Sequence, residues 1–321
     1  MIKKSNEVNL KFIFSLGRSG SNFLGSMINS HPKLLYRHEP FHSDPLFFDR
    51  QIRRVLSYTF CDEDVKHLYA DLKQCMHLDS IHSFDKVFLN SNIYYLSTLI
   101  QRFMKKTKIP YYHLIHNRVF TPMKDYPIIC KEVGLIDIMK QFNEKTSVPI
   151  VFLIRNPFAF SLSYYKGITK GYMPRGRIDA IKSLIQKTSP VLYDEFGDEI
   201  DHLSDLQRVA LMWRMDTEEG LRLLSQSENQ KIATYESLAE NPNDELQSIL
   251  HFFGISMHEN CSRHIYQLTS KPFKVNHYFS TNKTPKTTAI KWKDDITMQQ
   301  IKEIDHICKD SPALTYFKSY I

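Results

Sequence analysis

Apolar and polar positions along the chain follow two rhythms. "KFIFSL" (Lys11–Leu16) is a short apolar run that reads as a strand, "GRSGS" as the turn behind it, and "NFLGSMINS" sets Phe23, Leu24, Met27 and Ile28 at helical spacing. The plan then repeats. "VPIVFLIR" (Val148–Arg155) is a β-branched run of the kind buried on both faces, and "NPFAFSLSYYKG" follows it with Pro157 near a helix start. Between these two units, "DVKHLYADLKQCMHL" reads as helical and "IPYYHLIHNRVF" as extended. Further on, "LQRVALMWRMDTEEGLRLLSQ" reads as a long amphipathic helix, "KIATYESL" as a strand and turn, and "NDELQSILHFFGI" as a helix ending at Gly254. Strands alternating with helices imply a parallel sheet covered by helices. No repeat, low-complexity tract or long Gly/Ser linker interrupts the pattern, so one domain spanning 1–321 is the simpler expectation.

Composition adds limits. With 321 residues, 42% hydrophobic and 24% charged, the chain has the make-up of an ordinary soluble globular protein. A net charge of +7 suits either an anionic ligand, such as a nucleotide, phosphate or acidic saccharide, or a merely solvated lysine surface. No basic block is dense enough to argue for nucleic acid. The five cysteines (Cys61, Cys75, Cys130, Cys261 and Cys308) contain no C-x-x-C pair and read as buried hydrophobes in a reducing compartment. No segment approaches the roughly 20 apolar residues that cross a bilayer, and the amino-terminal apolar run lacks a small-residue cleavage site. A cytoplasmic location without a membrane span is expected; oligomeric state is not encoded in the pattern.

Two stretches carry candidate chemistry. His38-Glu39-Pro40-Phe41-His42 matches H-E-x-x-H, the pattern that holds zinc when both histidines share a helix face. Pro40 opposes that helix, because it lacks an N–H and pushes Glu39 out of the α region. In "SLGRSGSNF" a strand runs into a turn with two glycines and then into a helix, which aims backbone N–H groups and a helix N-terminus at one point and suits an anion. It departs from G-x-x-x-x-G-K-[ST], since no lysine follows Gly20. An ordinary glycine turn is the alternative reading.

The stretch "GRSGSNFLGSMINSHP" resembles the 5′-phosphosulfate loop of sulfotransferases that use 3′-phosphoadenosine 5′-phosphosulfate (PAPS), in the R-S-G-S form of carbohydrate and bacterial members. "RNPFAFSLSYYKG" is similar to the family's 3′-phosphate motif, in which a strand-end arginine and a serine eight residues later grip the phosphate; Arg155 and Ser163 fill those positions. "YESLAENPNDELQSILHFFGI" resembles a further family segment, and "KTTAIKWKDDIT" its basic carboxyl-terminal stretch. The matches run in family order from Leu10 to Thr297.

The resemblance implies an α/β fold, a P-loop-like three-layer α/β/α arrangement with a central parallel sheet. It also implies sulfuryl transfer from PAPS, as co-substrate and without a metal, to an acceptor alcohol, saccharide or amine, a carbohydrate or small metabolite. Arg18, Ser19, Gly20, Ser21, Asn22, Arg155, Ser163 and Lys286 would bind the donor, with Asn22 replacing the commoner threonine or serine. Arg18 would neutralise charge on the leaving group. Glutamate bases in glycan-modifying relatives lie about twenty residues beyond the loop arginine, and Glu39 stands twenty-one beyond Arg18. His116 is the second candidate base, because other branches use histidine. Arg155 as a surface ion-pair partner and Glu39 as a structural carboxylate are the competing readings. A zinc peptidase built on His38, Glu39 and His42 and a catalytically inactive nucleotide-binding protein of the same fold are the competing functions. Trp213, Trp292, Tyr164 and Tyr165 read as packing residues. Acceptor choice would lie in the stretch from Phe41 to Lys131 and in Gly171 to Asp205, read as loops over the site.

Overall fold

Five strands hydrogen-bond side by side in the computed structural model, which describes residues 9–43, 52–74, 126–225, 228–270 and 289–318. They are β1 (Leu10–Ser15), β2 (Leu35–His38), β3 (Ile128–Val133), β4 (Ile150–Ile154) and β5 (Gln230–Thr234). All pairings are parallel and the order is β2-β3-β1-β4-β5. The principal helices are α1 (Ser21–Asn29), α2 (Asp62–Gln74), α3 (Ile136–Lys145), α4 (Pro157–Thr169), α5 (Asp205–Leu224), α6 (Tyr235–Glu240), α7 (Pro242–Phe252), α8 (Glu259–Ser270) and α9 (Met298–Cys308).

Alternation along each strand divides the interior into two cores. Phe12, Phe14, Cys130, Ile150, Phe152 and Ile154 face one layer, built by α2, α3, α4, α5 and α9. Ile13, Ile129, Val151 and Leu153 face the other, built by α1, α6, α7 and α8. Side chains two apart share a face, so each strand has to be apolar nearly throughout to seal both layers. The chain leaves β1 over the α1 face toward β2, then crosses from β3 to β4 with α3 on the opposite face. The direction of winding therefore reverses around β1, and the crevice at its carboxyl end is where such sheets place ligands.

Local sequence explains the ends of the helices. Asn156 caps α4 by accepting from the amides of Phe158 (3.0 Å) and Ala159 (3.3 Å), and Pro157 opens the first turn. Ser204 and Gln207 form a reciprocal capping box on α5. Gly254, with φ 69°, ends α7 by donating to the His251 carbonyl. Asp62, Glu63 and Asp64 start α2 three residues ahead of the apolar repeat, because acidic side chains suit a helix N-terminus.

Two expectations change, and two elements appear that the pattern did not name. The stretch Gly171 to Asp205, read as loops, contains the helices Gly176–Asp179, Ile181–Thr188 and Pro190–Phe196. Ile178, Ile181, Ile185, Leu192 and Phe196 recur at helical spacing and are buried in the core, and Arg177 anchors the first turn to Asp216 of α5 by a two-pronged ion pair (2.6 and 2.8 Å). Cys61 is exposed, whereas Cys130, Cys261 and Cys308 are buried as expected; Cys61 sits just outside α2, where Asp64 accepts from its amide. "IICKEV" is a strand the apolar pattern passed over. Pro40–Ser43 forms one isolated helical turn after β2. Cys75, the extended reading of "IPYYHLIHNRVF" and the end of "DVKHLYADLKQCMHL" lie outside the described residues. Among the described residues no helix is long and apolar enough to cross a membrane.

Candidate active site

β1 delivers the chain to a tight turn. The Ser19 amide donates to the Leu16 carbonyl (3.2 Å), and Gly20 adopts φ 79° as the N-cap of α1. A glycine cap offers no side-chain acceptor to the first helical turn, and among the described residues nothing accepts from the amides of Gly20, Ser21 and Asn22. A Cβ on Gly20 would lie 2.0 Å from a ring carbon of Tyr235. The Ser19 hydroxyl beside it is buried with no hydrogen-bond partner among the described residues. Amides without an acceptor, a helix N-terminus and an unsatisfied hydroxyl are together the kind of groups that suit an anion.

The strand-end arginine reaches this turn. Nη1 of Arg155 donates to the Arg18 carbonyl (2.8 Å), and Nε of Arg18 donates to Oγ of Ser163 (3.1 Å). Three of the predicted residues, from the turn after β1, the end of β4 and α4, thus meet at one place. The Arg155 guanidinium lies over the ring of Tyr235 at 4.8 Å, and its backbone carbonyl accepts from the indole of Trp213 (2.8 Å). Trp213 and Tyr164 are core residues, and Trp292 stacks on Phe158 at 5.3 Å, as packing residues should. Glu236, next to Tyr235, accepts from the Asn156 amide (3.2 Å), and burial pushes its carboxyl pKa up.

A second cluster stands at the carboxyl ends of β2 and β3. Glu39 follows β2 directly, with φ 50°, and its amide donates to the Lys131 carbonyl (2.7 Å). The ammonium of Lys131, itself fully buried, meets the Glu39 carboxylate and also donates to Oδ1 of Asn22 (3.0 Å). Burial works against the charged form of Glu39, but Lys131 and then His38 outweigh it and hold the carboxyl below its usual range. Burial likewise pulls the Lys131 pKa down, against the attraction of Glu39.

The histidines of the H-E-x-x-H pattern part company. Nδ1 of His38 pairs with the Tyr36 hydroxyl (3.0 Å), whereas Nδ1 of His42 bonds the buried Glu132 carboxylate (3.0 Å). Glu132 also accepts from the Phe41 amide (2.8 Å). A strand end, a left-handed residue and one turn replace the helix that zinc chemistry needs. Among the described residues no three His, Cys, Asp or Glu side chains are grouped as a metal would require.

Lys131, Glu132 and Tyr235 are the residues missed by the sequence reading. The available sign was a Lys-Glu pair inside "PIICKEVGLI", since charges within an apolar run have to be buried in pairs or end the strand. His116 and Lys286 lie outside the described residues.

A family model described as "Sulfotransferase domain" matches residues 11–316. Among curated proteins no match to the chain is found. Among solved structures, the chain is similar to the sulfotransferase domain from the curacin biosynthetic pathway, at 16% identity over 92% of this chain and 95% of that one, with a TM-score of 0.47. It is also similar to the sulfotransferase domain of the Synechococcus PCC 7002 olefin synthase, at 17% identity over 94% and 95% of the two chains, TM-score 0.47. A mouse sulfotransferase, SULT7A1, solved in complex with PAP, shares 12% identity over 97% of this chain and 89% of its own, TM-score 0.49.

Proposed function

The chain belongs to the sulfotransferase domain family, and on that basis we propose that it moves a sulfuryl group from PAPS to a hydroxyl or amine acceptor. The observation that carries this reading is the meeting of the two phosphate motifs: Arg155 on the Arg18 carbonyl at 2.8 Å and Arg18 on Ser163 at 3.1 Å. The fit of the donor rests on the cradle itself. Without a Cβ, Gly20 admits the Tyr235 ring against it and leaves the first-turn amides without a capping acceptor, and the buried Ser19 hydroxyl has an unused bond to offer.

In this reading the acceptor oxygen or nitrogen attacks sulfur, the bond from sulfur to the 5′-phosphate oxygen breaks, and the electron pair leaves with the phosphate. The amides of Gly20 to Asn22, the α1 dipole and Arg18 neutralise the charge that develops there. Arg155 and Ser163 hold the 3′-phosphate, with Lys286 as a further contact. A sulfuryl group carries less charge than a phosphoryl group, so the chemistry does not require a metal ion to balance it. The acceptor's proton passes to Glu39, which is ionised at neutral pH. His116 is the alternative base. The Arg-Ser-Gly-Ser turn and the place of Glu39 favour a carbohydrate-type acceptor over other small metabolites.

Isothermal calorimetry with 3′,5′-adenosine bisphosphate tests the reading. The wild type is expected to bind, and Arg155→Ala to lose most of the affinity. Glu39→Gln is expected to keep that binding while turnover from PAPS falls roughly 10²–10⁴-fold. A wild type that binds no bisphosphate overturns the proposal.

A further inference from the structure

Donor binding alone does not explain the ammonium of Lys131. It is placed on β3 between β1 and β2, level with Ile13 and His38, and its side chain is wholly removed from solvent. An isolated buried cation is costly, so its partners define its purpose. Those partners are Asn22 in the first turn of α1 (3.0 Å) and the carboxylate of Glu39, whose own amide bonds back to the Lys131 carbonyl (2.7 Å). One cation therefore touches both the donor cradle and the candidate base. Around it stand His38 at the end of β2, His42 in the following turn, and Glu132, the next residue of β3, whose carboxylate lies on the other face with His42 and the Phe41 amide.

We propose that Lys131 is a positioning residue that aims the Glu39 carboxylate and couples its strength as a base to the arrival of the donor at the first turn of α1. The inference rests on the donor and base assignments above. With Lys131 fully engaged, Glu39 stays ionised and correctly directed but is a weak base. An anionic sulfuryl group at the cradle competes for the ammonium across Asn22. Glu39 is then relieved of part of that attraction while its burial is unchanged, so its proton affinity rises when the acceptor needs it. Proton transfer is thereby timed to follow donor binding.

Three measurements on Lys131→Met test this. In kcat/KM against pH, the acid limb is expected to move up by about one unit or more, because burial then acts on Glu39 unopposed by the ammonium. In calorimetry without acceptor, the variant is expected to lose affinity for PAPS, which carries the sulfuryl group, by several-fold more than for 3′,5′-adenosine bisphosphate. In a Glu39→Gln background, Lys131→Met is expected to cost little further turnover, because its effect runs through Glu39. Should the single variant fail to fold, Glu39→Gln and the double variant, which lacks both charges, still give the turnover comparison and the two affinities. An unmoved acid limb, equal losses for both nucleotides, or a full multiplicative loss in the Glu39→Gln background overturns the coupling. A wild type that binds neither nucleotide instead defeats the donor reading beneath it, and so the two failures are told apart.

Discussion

Arg18 and Glu39, with φ of 73° and 50°, are the non-glycine residues among those described that adopt a left-handed backbone. Such a conformation costs an L residue on the order of 1–2 kcal/mol and persists where surrounding contacts enforce it. Here the contacts are visible: Arg155 and Ser163 grip the first residue, Lys131 the second from both backbone and side chain. Gly20 between them is constrained twice, by φ 79° and by the Tyr235 ring against its α-carbon. Gly20→Ala is therefore expected to weaken 3′,5′-adenosine bisphosphate binding by at least about tenfold and to lower stability by roughly 1–3 kcal/mol, read by calorimetry and urea denaturation. The residues proposed to meet the donor were legible as letters, because glycine, arginine and serine in a short turn have few other uses together. Lys131 was not, since nothing in one strand shows that the strand pairing beside it ends in a carboxylate.

At the scale of elements, legibility followed apolar continuity. β4 stands out because all its residues are apolar, and β1 because Phe12, Ile13 and Phe14 form an apolar run that leads into the glycine turn, each strand sealing two cores at once. β3 pairs with both β1 and β2 and is no less central, yet Lys131 and Glu132 interrupt its apolar run. Their charges point to opposite faces and are satisfied there, one by Glu39 and Asn22, the other by His42 and the Phe41 amide. The helix caps were local and could be read directly. The cap of α4 matters twice, because Asn156 starts the helix that carries Ser163 and its amide is held by Glu236 beyond β5. Asn156→Ala is expected to cost about 1 kcal/mol in urea denaturation, and its affinity for the bisphosphate to fall with the loosened Arg155–Ser163 geometry.

For the molecule as a whole, buried ionisable groups set how stability responds to pH. The hydrogen bond to Glu132 is the largest influence on His42 and raises its pKa, so the folded protein keeps a proton that the unfolded chain releases near pH 6.5. More protons bound in the folded state mean that stability falls as pH rises through the folded pKa of His42, and this part of the stability is complete below about pH 6.5. His42→Gln is expected to flatten the decline of the thermal midpoint from about pH 6.5 upward, seen by scanning both proteins across that range. Glu39 acts with the opposite sign: its lowered pKa adds stability above the ordinary carboxylate range that is lost on acidification.

The order of strands and helices, the glycine turn, the strand-end arginine and the helix caps follow from sequence, because each depends on periodicity or on contacts within a few residues. Family membership was likewise readable, since the motifs lie in one dimension and in order. The pairing of Lys131 with Glu39, the parting of His38 from His42, and the seating of Tyr235 against Gly20 and Arg155 were settled only by folding. They join residues from different strands at one edge of the sheet, and the cost of burying a charge or the strain of a left-handed residue is defined only once its partners across the sheet are in place.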